Sequence, residues 1–154
     1  MGESVTQQAG RILALDVGER RIGVAISDPT GATAQPLQTV VRTGGDDGLT
    51  ELVAIIQRYD VKEVVVGLPT RTGGEEGPEA RRVRAFARRL QRLAGVPVVF
   101  VDERYSTREA ERILLRADLS RDRRRKVLDH VAAAIVLDTY LARRRVRSGQ
   151  GEAP

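Results

Sequence analysis

Cysteine is absent from the chain, histidine occurs once, and aromatic residues make up 3% of the sequence. Without cysteine there can be no disulfide framework and no thiolate zinc site. A single histidine also rules out a His-rich metal centre. Any bound metal must then be held by oxygen, which favours a hard cation, Mg²⁺ or Mn²⁺, as one or two ions. Few aromatics mean an aliphatic core, and a hydrophobic content of 41% in 154 residues is enough to build one for a single domain. No apolar run approaches the roughly 20 residues that would span a bilayer. The first ten residues lack the apolar stretch of a secretory signal. A cytoplasmic protein with no membrane partner is expected.

What the chain does have is arginine. Lys and Arg number 26 against 21 Asp and Glu, the net charge is +5 and the isoelectric point is near 10.4. Arginine presents a planar fork that fits phosphate, so a basic, arginine-rich domain suggests a nucleic-acid partner. The competing reading is a solvated basic surface.

Along the chain, residues 1–10 read as a loose polar tail. Arg11–Asp16 and Ile22–Ser27 read as strands joined by a turn at Gly18, and Asp28-Pro29-Thr30-Gly31 is turn chemistry. Leu37–Val41 completes an antiparallel meander. The period then changes to helical at Leu49, Leu52, Val53, Ile56 and Tyr59. Val64–Val66 is a buried strand, followed by the Gly-rich loop 70–77. Pro78 opens a helix with the apolar stripe Val83, Phe86, Ala87, Leu90 and Leu93, which ends at Gly95. Val98–Val101 is a fifth strand. A helix capped by Ser106 or Thr107 runs to Leu115, Arg121–Lys126 reads as a basic linker, and a last helix spans Val127 to about Arg144. The order βββαβαβαα predicts an α/β fold with a five-stranded mixed sheet and helices on both faces. One domain is expected over 11–145, with tails at 1–10 and 146–154.

In an open α/β sheet, function gathers at the carboxyl ends of the strands. Asp16 ends the first strand, and Asp102 and Glu103 end the fifth. Asp129 lies in the first turn of the last helix, where the helix dipole alone would favour an acid. Ala132 and Ala133 would let that helix approach the sheet and bring Asp129 to the other acids. Asp138 cannot join them, since nine residues carry it about half a turn round the helix and roughly 13 Å along it. Carboxylates that converge without histidine or cysteine repel one another until a cation resolves the repulsion. Two metals could then activate water and stabilise a leaving oxygen in phosphodiester cleavage. Adjacent strand residues point opposite ways, so only one of Asp102 and Glu103 can face such a site.

Four segments, LALDVGERRIGVAISD, VVVGLP, VDERYST and KVLDHVAAAIVL, in that order and spacing, resemble the YqgF or RuvX-like family over about Arg11–Leu141. The resemblance implies a ribonuclease H-like fold similar to the RuvC Holliday-junction resolvases. It also implies a metal-dependent nuclease, a hydrolase, with a role in 5′-end maturation of precursor 16S rRNA. It assigns the catalytic and metal-binding acids to Asp16, Glu103 and Asp129. RuvC proteins carry a second aspartate one turn further along the last helix, where this chain has Ala132. Arg20, Arg21, Arg104, Arg123, Arg124, Arg125 and Lys126 are the expected nucleic-acid contacts, with Arg81, Arg84 and Arg88 as a further candidate track. His130 reads as a helix-surface residue that could relay a proton.

Three readings compete with this one. The first is a resolvase acting on branched DNA, and the second is a binding module without catalysis. The third is an actin-like or sugar-kinase ATPase, for which the chain is too short and lacks a second Asp-x-Gly phosphate loop. Monomer and homodimer both remain open.

Overall fold

Three apolar runs separated by short turns can only pair antiparallel. In the computed structural model they form β1 (Arg11–Val17), β2 (Arg21–Ser27) and β3 (Ala34–Val41), each antiparallel to the next. The structure describes residues 10–43, 45–71, 73–102 and 121–147, and for 121–129 and 147 it describes the backbone alone. Gly18 makes the β1–β2 turn possible, because a Cβ there would stand 2.9 Å from the Arg21 carbonyl oxygen. The β2–β3 turn is organised by Asp28. Its carboxylate accepts the Thr30 hydroxyl and the backbone N–H groups of Ala32 (2.7 Å) and Thr33 (2.8 Å). Those hydrogen bonds, the Thr30 hydroxyl first, hold the carboxyl well below the usual carboxylate range. The expectation of a turn-forming aspartate before Pro29 is met.

Helix α1 (Leu49–Arg58) then crosses over to β4 (Val61–Leu68), and α2 (Pro78–Ala94) crosses to β5 (Val98–Asp102). Both crossovers return the chain parallel, β4 beside β1 and β5 beside β4. Among the described residues the sheet has five strands in the order β3-β2-β1-β4-β5. The strand that carries Asp16 is therefore central. Gly95, at φ 72°, closes α2 in the left-handed conformation that glycine accepts without strain.

The two faces of the sheet follow from strand alternation. Leu13, Leu15, Ile22, Val24, Val64 and Val66 pack against α1 and α2. Ile12, Ala14, Ala25, Val65 and Val101 pack against α3 (Arg121–Arg147) through Ala133, Val136, Leu137, Tyr140 and Leu141.

The structure corrects two sequence expectations. Residues 121–126 are not a linker but the first turns of α3. The segment Arg-Asp-Arg-Arg-Arg-Lys contains neither glycine nor proline, and Arg and Lys are good helix formers, so the helix of the apolar stripe continues back through it. Leu93 is not buried; 61% of it is exposed. It belongs to the apolar side of α2, but it borders an open groove of about 680 Å³ beside Val53 and Ala54 of α1. The helix expected from Ser106 or Thr107 to Leu115 falls outside the described residues. No helix among those described is long and apolar enough to cross a membrane.

Candidate active site

Asp16 is half-buried at the carboxyl end of the central strand. It shares the parity of Ile12 and Ala14, so it belongs to the face that α3 covers. Its register partner on β2 is Gly23. On the other side, β4 runs in register Leu15↔Val66, and the next residue is Gly67. The carboxylate therefore stands in its row between two glycines. A glycine inside a strand weakens it and usually marks a place where something must come close. Here neither neighbour of the acid in its row carries a side chain.

The layer above is small as well. Ala14 pairs with Ala25 across β1 and β2, and both are fully buried. Ala132 and Ala133 of α3 are buried on the same side of the sheet. Alanine facing alanine lets the helix backbone approach the strands closely. Asp129 occupies the helical position three and four residues before Ala132 and Ala133, in the series that continues through Val136, Leu137 and Tyr140. Its side chain lies outside the described set, as do Glu103 and Arg104 entirely. Among the described residues no three ligand-type side chains form a cluster. Asp138 is exposed on α3, as its spacing predicts.

Asp102 has the parity opposite to the buried Val101, and its carboxylate accepts the Thr70 hydroxyl at 2.8 Å. It ties the end of β5 to the loop after β4. Asp102, the acid that the resemblance did not assign to the site, is turned toward this loop.

The β1–β2 turn that follows Asp16 carries Arg20, which is exposed, and Arg21, which is half-buried. The turn is held by a residue that sequence reasoning missed. Arg42 donates to the Gly18 carbonyl and makes two bonds to the Asp47 carboxylate, Nε to Oδ1 at 2.9 Å and an Nη to Oδ2 at 2.5 Å. Its guanidinium also stacks 4.9 Å over Phe86, and its backbone N–H donates to the Arg20 carbonyl. Arg42 thus joins the hairpin tip to the turn before α1 and to α2. These partners are 5, 24 and 44 residues away, so no local pattern could have revealed it. The Gly23 signal, a glycine within a strand, was legible and went unused.

Arg84 makes two bonds to Glu76, at 2.8 and 2.6 Å, and lies 4.7 Å over Phe100. It is committed to the loop before α2, so an Arg81–Arg84–Arg88 phosphate track loses its middle member. Arg123, Arg124, Arg125 and Lys126 lie on the first turns of α3, with side chains outside the described set. His130 is half-buried rather than a plain surface residue, and its Nδ1 lies 3.2 Å from Thr39 Oγ1 of β3.

A family model described as RuvX, Holliday junction resolvase, matches residues 10–143. A protein of Moorella thermoacetica named "Putative pre-16S rRNA nuclease" is 54% identical over 133 residues, covering 86% of this chain and 95% of the relative. One of the same name from Symbiobacterium thermophilum is 50% identical over 137 residues, covering 89% and 95%. Among solved structures, Thermus thermophilus RuvC in complex with a Holliday junction substrate superposes with a TM-score of 0.54 at 16% identity, covering 87% of this chain and 95% of that one. The fowlpox virus resolvase in complex with junction DNA gives 0.52 at 12% identity, covering 86% and 97%. These two likenesses establish the ribonuclease H-like fold.

Proposed function

The chain belongs to the RuvX family, and from that premise we propose that it is a divalent-metal-dependent nuclease that matures the 5′ end of 16S rRNA from its precursor. The observation that carries this reading is Asp16, an acid on the rigid tip of the central strand, between Gly23 and Gly67 and under the helix that bears Asp129. The donor chemistry fits a hard cation, because the chain has no cysteine, a single histidine and several acids at the proposed site. Asp16, Glu103 and Asp129 would hold one or two Mg²⁺ or Mn²⁺ ions. The alternation of Val99 and Val101, carried on by two residues, supports Glu103 over Asp102 as the member from β5. When bound, the metal supplies Lewis-acid activation of a water and charge relief at the leaving oxygen.

The protein's own part is to bind and orient. Arg20 and Arg21 would meet phosphates beside Asp16, and Arg123 to Lys126 would guide the strand along the first turns of α3. Arg104 would act next to Glu103. Phosphate contacts supply affinity without choosing a sequence, so substrate choice rests on shape. The names of the relatives favour precursor rRNA. The family description favours a second reading, resolution of branched DNA, and symmetric cutting of a junction would call for a homodimer rather than a monomer. A cytoplasmic site of action follows from either substrate, and the nuclease domain would be 11–145, with tails at 1–10 and 146–154.

The deciding experiment presents end-labelled precursor 16S fragments, four-way DNA junctions and linear duplexes to the protein with Mg²⁺, Mn²⁺ or EDTA. Cleavage of the precursor at the mature 5′ end, abolished by EDTA, is the expected result. Preferential junction cutting would move the assignment to the second reading. Tight binding with no cation-dependent cleavage of any substrate would overturn catalysis and leave a binding module.

A further inference from the structure

We propose that Thr39 and His130 form a positioning latch that fixes the site end of α3 over the sheet, and with it the backbone that carries Asp129. The inference rests on the nuclease reading for its consequence, but the latch itself stands on geometry. Thr39 is in register with Gly23, and Gly23 with Asp16. The three residues form one row across β3, β2 and β1, on the face that α3 covers. Strands lie about 4.8 Å apart, so Thr39 and Asp16 are separated by roughly 10 Å, with a glycine between them. His130 reaches the far end of that row, at 3.2 Å from Thr39 Oγ1. Asp129, one residue earlier, is turned about 100° round the helix from it.

A latch is needed here because of the way this interface is built. Ala14, Ala25, Ala132 and Ala133 allow close approach but offer little interdigitation to resist sliding or rotation. Further along, Val136, Leu137 and Leu141 pack against the sheet, and directional bonds add to that packing at both ends. At one end is the Thr39–His130 bond. At the other, the Tyr140 hydroxyl donates to Glu63 of β4 at 2.7 Å. Ten residues separate His130 from Tyr140, about 15 Å along the helix. Metal ligation tolerates only tenths of an ångström, so the pin at the site end bears on the acids and the pin at the distant end does not.

The test compares Thr39→Val and His130→Ala with Thr39→Ser and His130→Asn, which keep a hydrogen-bonding group in place. Three quantities are read in the whole protein: Mn²⁺ affinity by calorimetry without substrate, kcat and KM separately, and amide exchange along α3. Thr39→Val and His130→Ala should each weaken Mn²⁺ binding and lower kcat by roughly 10- to 100-fold, as loss of an outer-shell partner does, with KM and Tm nearly unmoved. Thr39→Ser and His130→Asn should restore both. The double variant should lose clearly less than the sum of the two single losses, because the two side chains share one bond. Exchange should quicken in the first turns of α3 but not around Tyr140. Unchanged exchange there, or losses that add in the double variant, would overturn the latch. If the wild-type protein bound no Mn²⁺ while exchange quickened as described, the metal reading would fall and the latch would stand.

Discussion

The sheet buries two faces in two different ways. Toward α1 and α2 it presents Leu13, Leu15, Ile22, Val24, Val40, Val64 and Val66, met by Leu52, Ile55, Ile56, Phe86 and Leu90. Toward α3 it presents Ile12, Val65 and Val101, but around the tips of the central strands it narrows to Ala14 and Ala25, followed by Asp16 and Gly23. The first face has bulk to bury, at about 25 cal/mol per Å² of apolar surface, and is where stability is concentrated. The second gives up bulk for proximity. Small side chains under α3 let a helix backbone come close to strand tips that carry an acid. On the proposed reading the chemistry lies on the α3 side alone, so substitutions on the two sides should fail in different ways.

The largest effect is expected at Asp16. Asp16→Asn should reduce cleavage by more than roughly 100-fold, beyond the range set by outer-shell partners. Thermal stability should hold and nucleic-acid binding should be kept, since a carboxylate repels phosphate until a cation bridges them. Wild-type cleavage rates with Mg²⁺ would remove Asp16 from the chemistry. On the opposite face, Leu52→Ala should cost about 2–5 kcal/mol in a denaturant titration. Activity per folded molecule should be unaffected, and a proportionate loss of kcat in that variant would break the division between the faces. Ala133→Leu tests the close approach itself. Overpacking should cost about 1–3 kcal/mol and, unlike Leu52→Ala, should lower cleavage by the molecules that remain folded.

The smallest effect concerns acid. The Arg42 hydrogen bonds, with added attraction from Arg42 and Arg89, hold the Asp47 carboxyl below its ordinary value. A depressed folded-state pKa contributes stability above the unfolded value, near 3.9, and that stability is lost as pH falls through the lower folded value. Wild type and Asp47→Asn should therefore differ at pH 7 by no more than about 1 kcal/mol, and should converge in thermal melts as pH drops below the carboxylate range. A constant gap down to the most acid point would show that the pair does not titrate with folding.

Much of this architecture was legible in one dimension. Alternation marked β1 and β2, and Asp28-Pro29 marked the turn after them. Pro78 and Gly95 bounded α2, and the change of period at Leu49 announced the crossovers. Asp16 stood out as a candidate because an acid ends a buried strand just before a glycine. The start of α3 was misread because charge was taken as a sign of loop, although Arg and Lys propagate a helix well. Leu93 was misread because periodicity gives a side chain's direction but not whether another element arrives to cover it.

By itself the sequence determined the order of elements, the parity of each strand and the absence of thiolate ligands for any metal, since all three depend on residues near one another or on composition. Only the tertiary structure decided which side chains meet. Arg42 grips Gly18, Asp47 and Phe86, Asp102 turns to Thr70, and His130 reaches Thr39 across 91 residues of chain. Such pairings depend on register and on how closely a helix lies on the sheet. They follow from packing all five strands at once, and no local window of sequence contains them.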